Sequence, residues 1–303
     1  MIKQIFWGLS ACLVLLSCDN DSHDNNITSD VVITGYRVDR QSAFPDANGP
    51  GTYRQITLGN VVDNKLFSES KEVIYNGISQ GVHTKQHYFY SNGLLTVSDV
   101  NFDKQELFYD SNQNLIGLKW TRLSSNNNVS NDFQLYYRFS YHPNNIVFVE
   151  RVTLPYNDPA AVVERRSIVQ FDSDNNIIKG GRDNNLDGVM EYENQFFYTN
   201  GNLTSIQKND GSTVNFDYSN VIDNYMVLNY NSYGKKVYKL MSSEGYSMFF
   251  NSDSGHSKNL TSQELSDGTY EVLGNNFYKK KTVTESFPDN NAHSTTTTEF
   301  FFQ

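Results

Sequence analysis

The chain has 303 residues, with 24 Lys and Arg against 34 Asp and Glu and a formal net charge of −10. That acidic balance argues against a nucleic-acid binder and against electrostatic adhesion to an anionic lipid surface. Aromatics make up 14% of the residues, mostly 20 Tyr and 20 Phe, a composition that favours strands over helices.

Residues 1–17 read as a lipoprotein signal peptide. Lys3 supplies the basic start, and Ile5 to Leu16 is an apolar run of about a dozen residues, short of the roughly 20 a spanning helix requires. The run ends in Leu15-Leu16-Ser17-Cys18, which looks like a lipobox, whose cysteine thiol is acylated and becomes the new N-terminus. An ordinary secretory signal is the alternative, but it leaves Cys18 as an odd thiol in an oxidising compartment. The only other cysteine, Cys12, is lost with the signal, so the mature chain forms no internal disulfide. Loss of Lys3 brings its charge to −11, one below the −10 of the whole chain.

Residues 18–30 are expected to be an acidic, disordered tether. Asp19-Asn20-Asp21-Ser22-His23-Asp24-Asn25-Asn26 has no apolar residue to bury. An acidic stretch directly after the lipidated cysteine resembles the surface-export signal of Bacteroidota lipoproteins. The implied location is the outer membrane, through the lipid, with the cell surface favoured over the periplasmic face.

From Val31 on the strongest signal is alternation. Ile116, Leu118 and Trp120 oppose Gly117, Lys119 and Thr121. Phe133, Leu135, Tyr137, Phe139 and Tyr141 share one face, opposite Gln134, Arg138 and Ser140. In Thr213 to Tyr218, Val214, Phe216 and Tyr218 oppose Thr213, Asn215 and Asp217. Period two marks half-buried strands.

Turn clusters separate the strands: Ser91-Asn92-Gly93, Ser111-Asn112-Gln113-Asn114, Pro143-Asn144-Asn145, Ser173-Asp174-Asn175-Asn176 and Thr199-Asn200-Gly201-Asn202. Asn and Gly supply the positive φ of tight turns. Each cluster follows an aromatic residue, Tyr90, Tyr109, Tyr141, Phe171 or Tyr198, and the next strand usually starts with an aliphatic one. That recurrence suits one hairpin per repeat. No stretch of twelve or more residues has helical spacing, so the expectation for 31–303 is an all-β fold: an extended antiparallel meander of hairpin repeats, forming an open curled sheet or something barrel-like. The pattern loosens after Tyr218, a candidate sub-boundary, before final strands over Tyr278 to Phe287 and Thr295 to Phe302.

Phe197-Tyr-Thr-Asn-Gly-Asn-Leu-Thr-Ser-Ile206, with Asn209-Asp-Gly211 and Asn215-Phe-Asp-Tyr218, resembles a YD repeat of the RHS type, and Tyr109-Asp-Ser-Asn-Gln-Asn-Leu-Ile116 is a weaker copy. With the lipobox and Ser257-Lys-Asn-Leu260, the whole resembles a Bacteroidota lipoprotein family of unknown function described as having a porin-like β fold. The resemblance implies a fold and a location and carries no catalytic residues. The chain is too short to enclose a cargo as large RHS shells do. A membrane-spanning barrel is disfavoured, because its strands need an outward apolar band and these are expected to be short and to carry Asn, Lys and Arg.

One stretch has the spacing of a cation site. In Asp183-Asn-Asn-Leu-Asp-Gly-Val-Met-Glu191, Asp183, Asn185, Asp187, Gly188, the carbonyl of Val189 and Glu191 fall at calcium-loop positions 1, 3, 5, 6, 7 and 9. Asn194 stands where an EF-hand has its bidentate glutamate, and Tyr192 to Tyr198 reads as a strand. The candidates are a structural Ca2+ loop or a hydrogen-bonded Asp-Gly turn without metal.

His83 and His87 lie four apart on one expected strand face, more often a solvated pair than ligands. Asp253-Ser254-Gly255-His256-Ser257 gathers hydrolytic residue types but reads as a loop. Trp120, Tyr136 and Tyr192 are candidates for stacking on a sugar ring, with packing of the sheet as the alternative. The expected function is therefore a non-enzymatic, lipid-anchored β protein of the envelope that binds a glycan or an envelope protein or acts structurally. A glycan-acting hydrolase of the envelope is the competing reading, recognisable by paired carboxylates in a cleft.

Overall fold

The computed structural model describes residues 31–46, 49–100, 103–122, 133–244, 257–287 and 292–303. Cys18, the signal and the tether lie outside the described residues, as does 253–256. The chain runs through β1 (Ile33–Asp46), β2 (Gly49–Val62), β3 (Lys65–Tyr75), β4 (Ile78–Ser91), β5 (Leu94–Val100), β6 (Asp103–Tyr109) and β7 (Leu115–Arg122). It continues through β8 (Phe133–His142), β9 (Ile146–Val152), β10 (Val163–Phe171), β11 (Ile177–Asp183), β12 (Asn194–Thr199), β13 (Asn202–Gln207) and β14 (Thr213–Asn215). An insert follows, made of β15 (Tyr218–Ile222), α1 (Asn224–Tyr233), α2 (Lys235–Glu244), β16 (Asn259–Thr261) and α3 (Ser262–Ser266). The chain then closes with β17 (Gly268–Val272), β18 (Tyr278–Phe287) and β19 (Ala292–Phe302).

The expected all-β meander is what forms. Each strand from β1 to β14 pairs antiparallel with the next, and β17, β18 and β19 join the other side through the β19–β1 pair. The result is one 17-stranded sheet, open between β14 and β17. The insert bridges that seam. Ser262 N donates to the Asp217 carbonyl, Ile222 N to the Asn276 carbonyl, and the Tyr270 hydroxyl of β17 to the Glu264 carbonyl of α3.

The repeat has a physical cause at one end of the sheet. The register slips at Asn60/Val61, Phe89/Tyr90, Phe108/Tyr109, Gln170/Phe171, Phe197/Tyr198 and Glu271/Val272. Each slip is a β-bulge just inside a turn. A bulge re-aims side chains and adds right-handed twist; here it sends Leu66, Leu95, Leu115, Ile177, Leu203 and Tyr278 into the core, none more than 5% exposed. The β8–β9 hairpin reaches the same result in register, with Val147 opposite Tyr141. The preceding aromatics lock neighbouring hairpins. The hydroxyls of Tyr90, Tyr109 and Tyr141 donate to the carbonyls of Leu66, Leu95 and Leu115 at 2.7, 2.9 and 3.1 Å.

The insert corrects two expectations. Where a strand was expected over Thr213 to Tyr218, the chain leaves the sheet after Asn215, and Tyr218 belongs to β15 in a separate two-stranded sheet with β16. Beyond it, two ten-residue helices form in the segment expected to hold only strands or a second lobe. Asp223 caps α1 by accepting from the Tyr225 and Met226 amides, and Gly234 at φ 79° ends it, the left-handed geometry that favours glycine.

These helices plug the bulged end of the sheet. Val227 and Leu228 of α1 pack with Ile33, Tyr36, Val61, Leu66, Leu95 and Phe300, and Val237 and Leu240 of α2 with Leu115, Val147, Phe171, Ile177 and Leu203. The Tyr36 ring lies against Gly59, where a Cβ would meet it at 2.2 Å. Among the described residues no helix is long and apolar enough to cross a membrane.

Strand length is a third correction. β1, β2 and β4 each span 14 residues and β3 and β19 each span 11, longer than the short strands expected. Charge on the face away from the plug is nonetheless plain: Asp39 accepts from both Arg37 and Arg54 there.

The hairpin lock makes a graded prediction. Leu115→Ala is expected to cost about 2–5 kcal/mol by opening a cavity, whereas Tyr109→Phe, which deletes one hydroxyl, is expected to cost about 0.5–1.5 kcal/mol. Denaturant unfolding of the two variants checks the ratio.

Candidate functional site

Two polar constellations stand out, on opposite faces of the sheet. The first covers the outer face at β8 to β11. Glu150, 3% exposed, accepts from Arg138 Nε at 2.7 Å and Arg166 Nε at 2.8 Å. Arg166 Nη1 also donates to Asp183 Oδ2 at 2.9 Å and to the Leu186 carbonyl at 3.1 Å, and its guanidinium lies 4.8 Å from the Phe148 ring. Alternation along β8, β9 and β10 puts these charges opposite Tyr137, Phe139, Val147 and Val149 of the core, and the β11–β12 loop folds over them.

That loop is the calcium-spaced stretch, and its oxygens are engaged locally. Asp183 Oδ1 accepts from the Asp187 amide at 3.0 Å and Oδ2 from the Gly188 amide at 2.9 Å. Asn185 Oδ1 accepts from the Asp187 amide and Asn185 Nδ2 donates to Asp187 Oδ2, while Asp187 Oδ1 takes the Val189 amide at 2.9 Å. Glu191 also bonds within the loop, its Oε2 accepting from the Asn184 amide at 2.8 Å. The structure thus brings Asp183, Asn185 and Asp187 together, and the residue at Val189 contributes its N–H to the cluster. Among the described residues no group of three or more His, Cys, Asp or Glu side chains is placed to hold a metal ion, although a calcium loop would also use the Asn185 amide and the Val189 carbonyl, which lie outside that set. The geometry fits a hydrogen-bonded turn whose positive charge comes from Arg166, a residue that local spacing could not flag because it lies on another strand.

The second constellation sits on the inner face, at the end of the sheet away from the plug. Asp103 opens β6, Arg122 ends β7 and Phe133 opens β8, and the ladder sets Asp103 opposite Arg122 and Arg122 opposite Phe133. Asp103 accepts from Arg122 Nε at 2.7 Å and Nη2 at 3.2 Å, and from Trp120 Nε1 at 3.2 Å. The guanidinium lies 5.4 Å from the Trp120 ring and 5.7 Å from Phe133, and the two rings meet edge to face at 5.9 Å. Two aromatic surfaces are held around a fixed carboxylate–guanidinium pair on a half-exposed ledge. Such a ledge offers an apolar face for a sugar ring and polar groups for its hydroxyls.

The three stacking candidates do not form one platform. Trp120 shares the inner face with Leu118, whereas Tyr136 stands opposite Lys119 on the outer face, its hydroxyl donating to Gln134. Tyr192, 53% exposed, lies in the loop before β12. Arg122, Asp103 and Phe133 are the additions that ladder register makes to Trp120.

The remaining candidates fall elsewhere. His87 is exposed, 6.3 Å from the Phe89 ring, and the register of β4 slips between Val82 and Thr84, so His83 sits at an irregularity; its side chain lies outside the described residues. Ser257 is fully buried, its hydroxyl donating to the Tyr218 oxygen at 2.6 Å and accepting from the Leu203 amide at 3.0 Å, which is a structural role.

No family model matches the sequence, and no curated protein matches it. Among solved structures, the fold is similar to a porin-like protein from Bacteroides uniformis, at 10% identity and a TM-score of 0.35, covering 89% of this chain and 98% of that one. It is also similar to TcdB2-TccC3 without its hypervariable C-terminal region, at 15% identity and a TM-score of 0.29, covering 80% of this chain and 13% of that one. Both are distant likenesses of fold.

The ionic network gives the site's test. Arg166→Leu leaves the buried Asp183 carboxylate without its charge partner and Glu150 with Arg138 alone, and is expected to cost about 3–5 kcal/mol. With Arg166 in place, millimolar calcium is expected to leave the melting temperature unmoved. A rise that Asp187→Ala abolishes would establish the cation loop instead.

Proposed function

We propose that the protein is a lipid-anchored β module of the cell envelope, held in the outer membrane through Cys18, which binds or supports rather than catalyses. The observation that carries this reading is the polarity of the fold. Val31 packs against the plugged-end core, its carbonyl accepting from Asn64 Nδ2 at 3.3 Å, and Asn64 Oδ1 takes the Ile33 amide at 2.7 Å. A chain arriving from a lipidated Cys18 therefore enters at the plugged end. The Trp120–Arg122–Asp103–Phe133 ledge lies at the other end, the position suited to a surface-displayed binding site.

The ligand class proposed for the ledge is a glycan, with a protein of the envelope as the alternative partner. Cell-surface display on the acidic tether of residues 18–30 is part of the same proposal.

Two measurements test it. Cys18→Ala is expected to move the protein out of the membrane fraction, and its retention there would end the lipoprotein reading. On a glycan array, Trp120→Ala is expected to lose about five- to 150-fold in affinity for any hit, taking the about 1–3 kcal/mol of a base stacked on an aromatic ring as the guide, while Tyr136→Ala keeps it. Turnover of a bound glycan by the unaltered protein would favour the hydrolase.

A further inference from the structure

Helix α2 carries a lysine that solvent does not reach. Lys239 is 0% exposed; its Nζ donates to Asn176 Oδ1 at 3.1 Å and lies 4.9 Å from the ring centre of Tyr198 and 5.9 Å from that of Tyr230. Asn176, 4% exposed, is itself locked. Its Nδ2 donates to Asp172 Oδ2 at 3.0 Å, and Asp172 Oδ1 accepts from the Asp174 and Asn176 amides at 2.9 and 2.8 Å.

The same turn occurs between β6 and β7, where Asn114 Nδ2 donates to Asp110 Oδ2 at 3.1 Å. The Asp–Asn pairing is thus a property of the turn. What the β10–β11 turn adds is an amine delivered to the amide by a helix 63 residues further along, with Lys235 Nζ pinning the start of that helix to the Asp174 carbonyl at 2.6 Å.

We propose that Lys239 and Asn176 are the site of a spontaneous intramolecular amide bond, with Asp172 as the proton carrier. The Lys239 Nζ lone pair attacks Asn176 Cγ, and the carbonyl electron pair moves onto Oδ1. Asp172 relays a proton from Nζ to the departing Nδ2; the carbonyl re-forms, the Cγ–Nδ2 bond breaks, and ammonia leaves. One amide replaces another, so no oxidant or cofactor enters the balance.

The surroundings suit each step. Burial, reinforced by the nearby Lys235, pushes the Lys239 amine well below the ordinary lysine range, so the nucleophilic neutral form is the one held there. Burial pushes the Tyr198 and Tyr230 hydroxyls up, keeping them protonated. Both are buried with no hydrogen-bond partner among the described residues, so each keeps an unpaired O–H on a ring beside the reacting amine. Cys12 and Cys18 are the only cysteines, and neither falls in the folded body, so this amide would be its means of cross-linking the plug to the sheet.

Peptide mapping of the full-length protein by mass spectrometry is the test. The expected result is a branched peptide joining Lys239 to Asn176, lighter by one ammonia than its two segments together. Lys239→Met and Asn176→Leu are expected to abolish it, and Asp172→Asn to leave the two segments unjoined. Unjoined segments at their full sequence mass in the native protein overturn the proposal. So does an ammonia deficit that fragmentation places elsewhere, as in a succinimide at Asn92-Gly93 or Asn200-Gly201. The native protein decides the matter even where a variant does not fold.

Discussion

On the inner face of the sheet, nearly every hairpin presents a buried aliphatic or aromatic side chain at the start of its second strand, and these side chains pack on one another and against the helical insert. Burying a side chain of this size contributes about 1.5–3 kcal/mol, and Leu66, Leu95, Leu115, Val147, Ile177 and Leu203 all do so within the two clusters that α1 and α2 complete. Among the described residues no second large sheet faces this one, so the helical plug completes the core that the sheet's own side chains begin. The sheet's edges follow the same economy: β14 has three residues and β17 five, short edges that offer little to a foreign strand, and the insert occupies the gap between them.

Much of this was legible because the repeat is local. Tyr109 and Leu115, or Tyr198 and Leu203, flank turns whose Asn and Gly residues announce their positive φ, and the structure places Asn92, Gln113, Asn144, Asn145, Asn175 and Asn200 in that region. The strand over Tyr278 to Phe287 was expected with the boundaries it has. Helix α1 was not legible by periodicity, because it is surrounded, whereas α2 does set Val237, Leu240 and Met241 at helical spacing toward the core but over only ten residues. Asn224, Met226, Val227, Leu228 and Ser232 are all buried, and a helix covered on several sides shows no apolar stripe. Punctuation was the available signal: Asp223 before the helix and Gly234 after it, and Thr261 with Glu264 as the capping box of α3.

The two faces explain why the site candidates divided as they did. Spacing along one strand found the acids of the 183–191 loop, but the group that balances them, Arg166, comes from β10, and Glu150 behind it from β9. A buried chain of charges is costly to break and adds little net stability over apolar packing. Its effect here is to fix the outer loop against β8 to β11 in one arrangement. Trp120 was found for its type alone. Its setting, with Asp103 and Arg122 on either side in the ladder, depends on register, which a turn-by-turn reading does not supply.

The molecule is therefore asymmetric from end to end, and the asymmetry follows from where the bulges are. Bulges recur beside the turns that contact the insert, at Tyr90, Tyr109, Phe171 and Tyr198, so twist and burial concentrate there while the strands lengthen away from it, to 14 residues in β1, β2 and β4. Chain entry at Val31 and the return of β19 to pair with β1 both belong to the packed end: Ile33 lies opposite Phe302, and the Tyr36 ring meets Tyr225 edge to face and Phe300 at a tilt. Variation at the opposite hairpin tips leaves that packing untouched. The tips are thus free to carry polar and aromatic groups such as Arg122 and Phe133, and the Asp103 carboxylate that holds Arg122 in place beside Trp120 gives one of them a fixed, half-exposed surface on a rigid frame.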